Sequence, residues 1–250
     1  LLEHVERAGV HSGDSIGVFP PQHVSLGDQD LVVSTMDRIC LALGARGLVN
    51  AQFIVRDDGV YLIEVNPRAS RTVPFMSKVT GVPMVELAVR ISLGRSLAEM
   101  GWRGGLRPVP AFVSVKSPAF STAKLKGVDP SVGPFMQSTG EVIGIAVDPR
   151  VAMAKALTGA SLIPPRAGDG EPPLALLSIA DRDKGGLVEL ARALVRAGYR
   201  LAATSGTRTS LERAGFGGLV PVSKLGADPV GCEVGILALI ESGTVRLVVN

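Results

Sequence analysis

The sequence predicts an α/β protein in two parts. Three observations carry this. After residue 173, strand-type and helix-type segments alternate with short connections, the pattern of a parallel sheet with helical crossovers. Before residue 160, two β-rich runs flank Arg56-Asp57-Asp58-Gly59 and read as a hairpin. Between the two parts, residues 161–173 hold four prolines, two glycines and no periodicity, the composition of a linker. We draw the domains at 1–163 and 174–250, with 164–173 as the linker proper.

In the first part, residues 1–9 read as a short amphipathic helix stopped by Gly9, 10–15 as a polar loop, and 17–24 as extended and broken by proline. Leu31, Val32, Met36, Ile39 and Leu43 lie near helical spacing, so 30–47 is predicted helical, ending at Gly44 or Gly47. The strands of the hairpin are 51–55 and 60–65. Residues 67–81 read as an irregular stretch rich in Arg and Thr. Residues 83–93 form a helix with Pro83 in its first turn and Gly94 at its stop. A strand follows at 111–116, then a loop-rich stretch at 127–144. A helix at 148–158 has Asp148 as its cap and Pro149 in first position. In the second part, 174–180, 200–204, 219–222 and 245–249 are strand-like, and 184–197 and 207–214 helical.

Composition excludes several classes. With 250 residues, 46% hydrophobic, the chain can bury two cores and is not disordered. Lys+Arg 26 against Asp+Glu 23 gives only +3, with no basic run, so no nucleic-acid partner is expected. No apolar stretch approaches the ~18 residues of a membrane span, and no signal peptide is visible. Cys40 and Cys232 stand far apart, which excludes a disulfide scaffold and fits a reducing, cytoplasmic setting. The Leu1 start and the strand-like end at Asn250 suggest a segment of something longer.

The hairpin carries the clearest chemistry. With Asp57-Asp58-Gly59 as a three-residue loop and Gly59 left-handed, Arg56 faces Val60, Ile54 faces Leu62, and Gln52 faces Glu64. Side chains alternate with period two, so Asn50, Gln52, Glu64 and Asn66 share one face. One carboxylate and two amide oxygens then cluster at the open end of the hairpin. Such hard ligands of low charge suit Mg²⁺ or Mn²⁺, with phosphate oxygens and water completing the shell. Arg68 and Arg71 follow at once, where an anion or a transferring phosphoryl group could sit. A plain hairpin with a solvated Glu64, an Asn66-Pro67 turn and surface arginines satisfies the same spacing.

The stretch Asn50-Ala51-Gln52-Phe53 with Ile63-Glu64-Val65-Asn66-Pro67-Arg68-Ala69-Ser70-Arg71-Thr72-Val73-Pro74-Phe75 closely resembles the large chain of carbamoyl phosphate synthetase. The likeness runs on through Ser77-Lys78, Thr80-Gly81-Val82-Pro83, Gly127-Val128-Asp129-Pro130 and Ser138-Thr139-Gly140-Glu141-Val142. It reaches back to Gly9-Val10-His11-Ser12-Gly13-Asp14-Ser15. Other ATP-grasp enzymes share the Glu-x-Asn core, while the Pro-Arg-x-Ser-Arg-Thr run is far more specific. The resemblance implies the C-terminal lobe of an ATP-grasp domain, of α+β type, that phosphorylates carbamate with ATP as substrate. It implies Gln52, Glu64 and Asn66 as metal ligands, with two Mg²⁺ or Mn²⁺ ions per ATP site. His11, Ser12, Gln52 and Glu64 would meet the nucleotide, and Arg68, Arg71 and Asn66 would be catalytic.

Leu176-Leu177-Ser178-Ile179-Ala180-Asp181-Arg182-Asp183-Lys184, with Ala203-Thr204-Ser205-Gly206-Thr207, is similar to the methylglyoxal synthase-like domain. From the residues alone, Lys184 and Thr204–Thr207 lie at carboxyl ends of parallel strands, where helix N-termini favour anions; a solvated lysine and an ordinary helix cap read equally well. The resemblance implies a Rossmann-like allosteric domain whose effector phosphate is lined by Lys184, Thr204, Thr207, Lys224 and Asn250. The domain order implies the C-terminal half of the large chain, lacking the lid that covers ATP and the end of the effector domain.

The implied partners are a glutaminase small subunit, bicarbonate or carbamate, and a nucleotide monophosphate effector. The implied setting is cytoplasmic pyrimidine and arginine biosynthesis, with oligomer formation open. Ser117 follows Lys116 where a cationic amino-acid activator would call for a carboxylate, which argues against ornithine-type activation, although Glu6 and Asp14 are acidic. The alternatives are a non-catalytic nucleotide-binding fragment or another ATP-grasp ligase related to biotin carboxylase.

Overall fold

A computed structural model describes residues 1–121, 132–162, 171–227 and 229–250. The resemblance at Gly127-Val128-Asp129-Pro130 and most of the expected linker lie outside the described residues. The chain forms two compact units, Leu1–Ile163 and Pro164–Asn250, each of mixed helix and strand.

The first unit contains β1 (Glu3–His4), β2 (Gly17–Phe19), α1 (Leu26–Ala42), β3 (Asn50–Arg56), β4 (Gly59–Asn66), α2 (Thr72–Thr80) and α3 (Met84–Ser92). It continues with β5 (Val113–Ala119), β6 (Gly140–Ala146) and α4 (Pro149–Gly159). An antiparallel sheet runs in the order β1-β2-β5-β6, and β3 and β4 form a separate two-stranded sheet. Val18, Val113 and Val115 point from the larger sheet onto Ala152 and Ala156 of α4. A second cluster joins Phe19 to Phe75 and Val79 of α2.

Three expectations fail here. Residues 1–9 are not helical. Val5 N donates to Ile16 O at 2.9 Å, the Glu3 carboxylate accepts from the N–H groups of Gln22 and His23, and Leu2 packs on the Phe19–Phe75 cluster. These tertiary partners outweigh a weak local helix preference. Within 67–81, Val73, Phe75 and Val79 bury one face of α2, and Gly81 ends it in the left-handed conformation at φ 68°. The loop-rich reading of 127–144 holds over the described residues 132–139 and fails from Gly140, where β6 begins and pairs along the whole of β5. The expected helix at 30–47 begins earlier, where Ser25 caps α1 by accepting from Asp28 N. Asp148 and Pro149 open α4 as expected.

The second unit holds β7 (Leu174–Leu177), a 3₁₀ turn (Asp181–Gly186), α5 (Leu187–Arg196), β8 (Arg200–Thr204), α6 (Ser205–Arg213), β9 (Val220–Ser223), β10 (Val234–Gly235), α7 (Ile236–Glu241) and β11 (Val245–Val249). Its five strands are all parallel, ordered β10-β9-β8-β7-β11. Period two sorts the core. Ala175, Leu177, Leu201 and Ala203 pack with α5 and Leu211 of α6, whereas Leu174, Leu176, Ala202 and Val222 pack with Leu239 of α7. Helices therefore cover both faces. Residues 184–197 divide into the 3₁₀ turn and α5, because Gly185-Gly186 is a poor helix start.

Gly144 marks the closest approach of sheet and helix. A Cβ there would fall on Ala152 O and Ala156 N of α4. Neither backbone atom can move without shifting the helix, so Gly144→Ala is expected to destabilise the first unit by about 1–3 kcal/mol. Urea unfolding measures this, and an unchanged midpoint would contradict the packing.

Candidate functional site

The hairpin turn is shorter than the sequence suggests. Arg56 pairs with Gly59, Val55 with Val60, Ile54 with Tyr61 and Phe53 with Leu62, so Asp57 and Asp58 alone form the turn. Gly59 opens β4 at φ 147°, not in the αL well. The register then shifts by one. Ile63 is an extra residue in β4, and beyond it Gln52 pairs with Glu64 and Asn50 with Asn66. The bulge restores the pairing that the three-residue loop predicted.

As a result, Glu64 Oε1 accepts from Gln52 Nε2 and from Asn66 Nδ2, both at 2.9 Å. Glu64 is exposed, while Gln52 and Asn66 are half-buried. Rotating either amide about its last torsion exchanges nitrogen for carbonyl oxygen at the same position. The cluster can therefore present one carboxylate and two amide oxygens to a cation. No group of three or more His, Cys, Asp or Glu placed to hold a metal ion occurs among the described residues. A cation here would take ligands of low charge and leave positions for phosphate and water, a set that fits Mg²⁺ or Mn²⁺.

The two arginines diverge in role. Arg68 is exposed and its Nη1 donates to Ala69 O at 3.0 Å. Arg71 stands at the N-terminus of α2, and its Nη1 donates to Ser138 O and Ser138 Oγ, both at 2.9 Å. Ser138 is itself held: its N–H donates to Asp14 Oδ1 at 2.9 Å and its hydroxyl to Gly13 O at 3.0 Å. Gln137 N donates to the other Asp14 oxygen at 2.7 Å. Burial pushes the Asp14 carboxyl up, but the hydrogen bonds from Ser138 and Gln137 outweigh it and hold Asp14 below its ordinary value. His11 and Ser12 belong to this same turn. His11 Nδ1 accepts from Gly13 N at 3.0 Å, which leaves the proton of a neutral ring on Nε2.

Lys116 is the group that sequence reasoning missed. It is fully buried, with Nζ donating to Ser12 O at 3.0 Å and 3.6 Å from Glu141 Oε1. Burial lowers its pKa, and Glu141 and Glu6 oppose the shift. By period two Lys116 lies opposite the core-facing Val113 and Val115, on the face of Ser114, so strand alternation alone reads it as a solvated charge. Glu6 accepts from Ile16 N at 2.7 Å, and burial raises its pKa. His4 is pushed down to about 4, first by burial and then by Lys116.

In the second unit, the five expected effector residues sit at the carboxyl ends of parallel strands. Thr204 ends β8, Lys224 follows β9 and Asn250 follows β11. Thr207, buried in α6, accepts from Ile179 N at 3.0 Å just beyond β7. Lys184 Nζ donates to Gly206 O at 2.9 Å and pairs with Asp181 Oδ1 at 2.7 Å. Lys184 does not begin a helix; it lies in the 3₁₀ turn, which folds its side chain onto α6.

Residues 3–100 match the family described as carbamoyl-phosphate synthase L chain, ATP binding domain, and residues 186–250 match the MGS-like domain. Over all 250 residues the chain is 49% identical to a carbamoyl phosphate synthase large chain from Thermomicrobium roseum, of which it covers 22%. It thus spans about a fifth of that relative. Among solved structures, a single-chain, multi-domain long-chain acyl-CoA carboxylase aligns at 21% identity with a TM-score of 0.46, covering 57% of this chain and 18% of that one. A biotin carboxylase domain of a single-chain bacterial carboxylase aligns at 18% identity with a TM-score of 0.45, covering 57% and 39%. No helix among the described residues is long and apolar enough to cross a membrane.

The buried polar cluster generates a pH test. His4 stays neutral when folded down to about pH 4, whereas an unfolded histidine protonates near 6.5. Between these values the unfolded chain binds more protons, so the His4 contribution to stability rises with pH and is lost on acidification. Glu6, with its raised pKa, acts in the opposite sense at the acid end. Comparison with His4→Gln isolates the histidine. From pH 7 to pH 4 the stability of wild type relative to the variant should fall by about 1–3 kcal/mol. Urea titrations check this, and parallel pH profiles would contradict it.

Proposed function

The chain belongs to the carbamoyl phosphate synthase large-chain family, as a relative of its C-terminal half, and from that premise we propose that it forms part of the carbamate-phosphorylating unit of a glutamine-hydrolysing enzyme. The single observation that carries this reading is the convergence of Gln52 and Asn66 on one oxygen of Glu64. Gln52, Glu64 and Asn66 would hold Mg²⁺ or Mn²⁺, two ions per site. When bound, the metal neutralises charge on the β- and γ-phosphates of ATP. A carbamate oxygen attacks the γ-phosphorus, the bond to the β-phosphate oxygen breaks, and ADP leaves with the electron pair.

Arg68 and Arg71 bind the anionic acceptor and the transferring group. Arg71 is the pre-set member, since Ser138, and through it Asp14, fix one edge of its guanidinium. Arg68 is the exposed member, tied among the described contacts only to its own turn. His11 and Ser12 meet the nucleotide, with the His11 Nε2–H offered to an acceptor. The metal cluster and the Arg71 side serve one step, and positioning the two reactants is the chief task.

The second unit would bind a nucleotide monophosphate as allosteric effector, its phosphate met by Lys184, Thr204, Thr207, Lys224 and Asn250. In the whole enzyme a glutaminase small subunit supplies ammonia, which with bicarbonate forms carbamate. The product feeds pyrimidine and arginine biosynthesis in the cytoplasm.

Two measurements test these readings. In the full-length enzyme, Glu64→Gln should reduce ATP formed in reverse from carbamoyl phosphate and ADP at least 100-fold, of the order expected when a charge-stabilising group is lost. Undiminished reverse synthesis would remove the metal assignment. For the second unit, calorimetry with UMP and IMP should detect binding to wild type that Lys184→Ala abolishes. Equal binding by both proteins would remove the effector assignment.

A further inference from the structure

The effector-type edge of the second unit already carries an anion of its own. Lys184 has three N–H donors. One is committed to Gly206 O at 2.9 Å, and a second meets Asp181 Oδ1 at 2.7 Å. The Lys184 side chain is 21% exposed and that of Asp181 95% exposed. The carboxylate therefore reaches the ammonium from the solvent side, the side open to an incoming ligand. Lys184 acts first to hold the Asp181 carboxyl below its ordinary value, and the charge of Lys224 adds to it. Asp181 thus stands in the field of both lysines named for the phosphate.

We propose that Asp181 is a built-in placeholder for the effector phosphate: it occupies Lys184 in the ligand-free protein and is displaced when the phosphate binds. This rests on the effector-site reading above and adds a residue that sets its affinity. The chemistry of the exchange is simple. A carboxylate oxygen and a phosphate oxygen are both anionic acceptors, and an ammonium donor accommodates either. The Gly206 bond can persist through the exchange, so Lys184 keeps its position while its counter-ion changes. Asp181 lies three residues from Lys184 within one short 3₁₀ turn, so opening the pair requires no rearrangement of the fold. Once released, the exposed carboxylate is hydrated again. The placeholder lowers apparent phosphate affinity and keeps Lys184 oriented in the ligand-free protein.

Inorganic phosphate is the probe, titrated at constant ionic strength into the 250-residue chain and followed by the amide NMR signals of residues 204–207. Wild type, Asp181→Asn, Asp183→Asn and Lys184→Ala are compared. Asp183 lies in the same turn and meets Arg182 at 3.3 Å, so its variant removes the same unit charge without freeing Lys184. Asp181→Asn is expected to bind phosphate about two- to fivefold more tightly, the scale of an exposed ion pair. Asp183→Asn should change affinity by less than half of that, and Lys184→Ala should lose binding. If Asp181→Asn matches wild type while Lys184→Ala loses binding, the placeholder is overturned and the site stands. If Asp183→Asn tightens binding as much as Asp181→Asn, the effect is one of general charge and the placeholder is again overturned. If Lys184→Ala binds like wild type, or no protein binds phosphate, the site reading itself fails.

Discussion

One extra residue, Ile63, decides what Glu64 meets. From the turn outward, β3 and β4 pair in a two-residue-loop register as far as Phe53 and Leu62. Continued regularly, that register would set Gln52 opposite Ile63 and turn Glu64 toward the other face, since a one-residue slip inverts every side chain beyond it. The bulge absorbs Ile63 and brings Glu64 opposite Gln52, with Asn66 two residues on along the same face. The metal cluster proposed at Gln52, Glu64 and Asn66 follows from that local irregularity. Bulges recur where a strand must re-aim a side chain next to a site, and this one has a definite product: two amides converging on one carboxylate oxygen.

The rest of the first unit is arranged around a second polar system, and this one is buried. Asp14, Ser138 and Arg71 form a chain of hydrogen bonds from the 11–15 turn to the start of α2. Lys116 ties the same turn to the sheet through Ser12 O and faces Glu141. Buried charges are costly unless paired, and removing one partner exposes that cost in full. The network therefore specifies position more than it adds stability: the turn carrying His11 and Ser12 and the arginine at the head of α2 cannot shift independently. The second unit repeats the logic with lighter means. Thr207 ties the end of β7 to α6, and Lys184 reaches across to Gly206 O.

Much of this was legible in the sequence, for identifiable reasons. Strongly patterned segments were read closely: β8 and β11 coincide with the expected 200–204 and 245–249, and Asp148-Pro149 announced α4. The Gln52–Glu64 pairing was also legible, though through two compensating differences. The sequence put the odd residue in the turn, at Gly59, and the fold puts it at Ile63. A hairpin's ends can be counted from its pattern, but the location of a bulge depends on what the strand packs against. The misses are non-local. β1 and β10 are two residues long and exist only through their partners. Residues 1–9 follow tertiary contacts against their own periodicity. Lys116 looks like a surface charge until β5 is known to be covered by neighbours on both sides. The family motifs singled out residues 9–15 and 138–142 one by one, while the hydrogen bonds that join Asp14 to Ser138, some 124 residues apart, had no local signature.

The central claim is that the bulged hairpin end is the metal and nucleotide site. Its most direct test is paramagnetic NMR of the 250-residue chain with Mn²⁺ and ATP. The side-chain amide signals of Gln52 and Asn66 should broaden at the lowest Mn²⁺ concentrations, and a Glu64→Gln chain should retain them sharp. If those two signals stay sharp in wild type while others broaden, the metal is held elsewhere and the account is wrong.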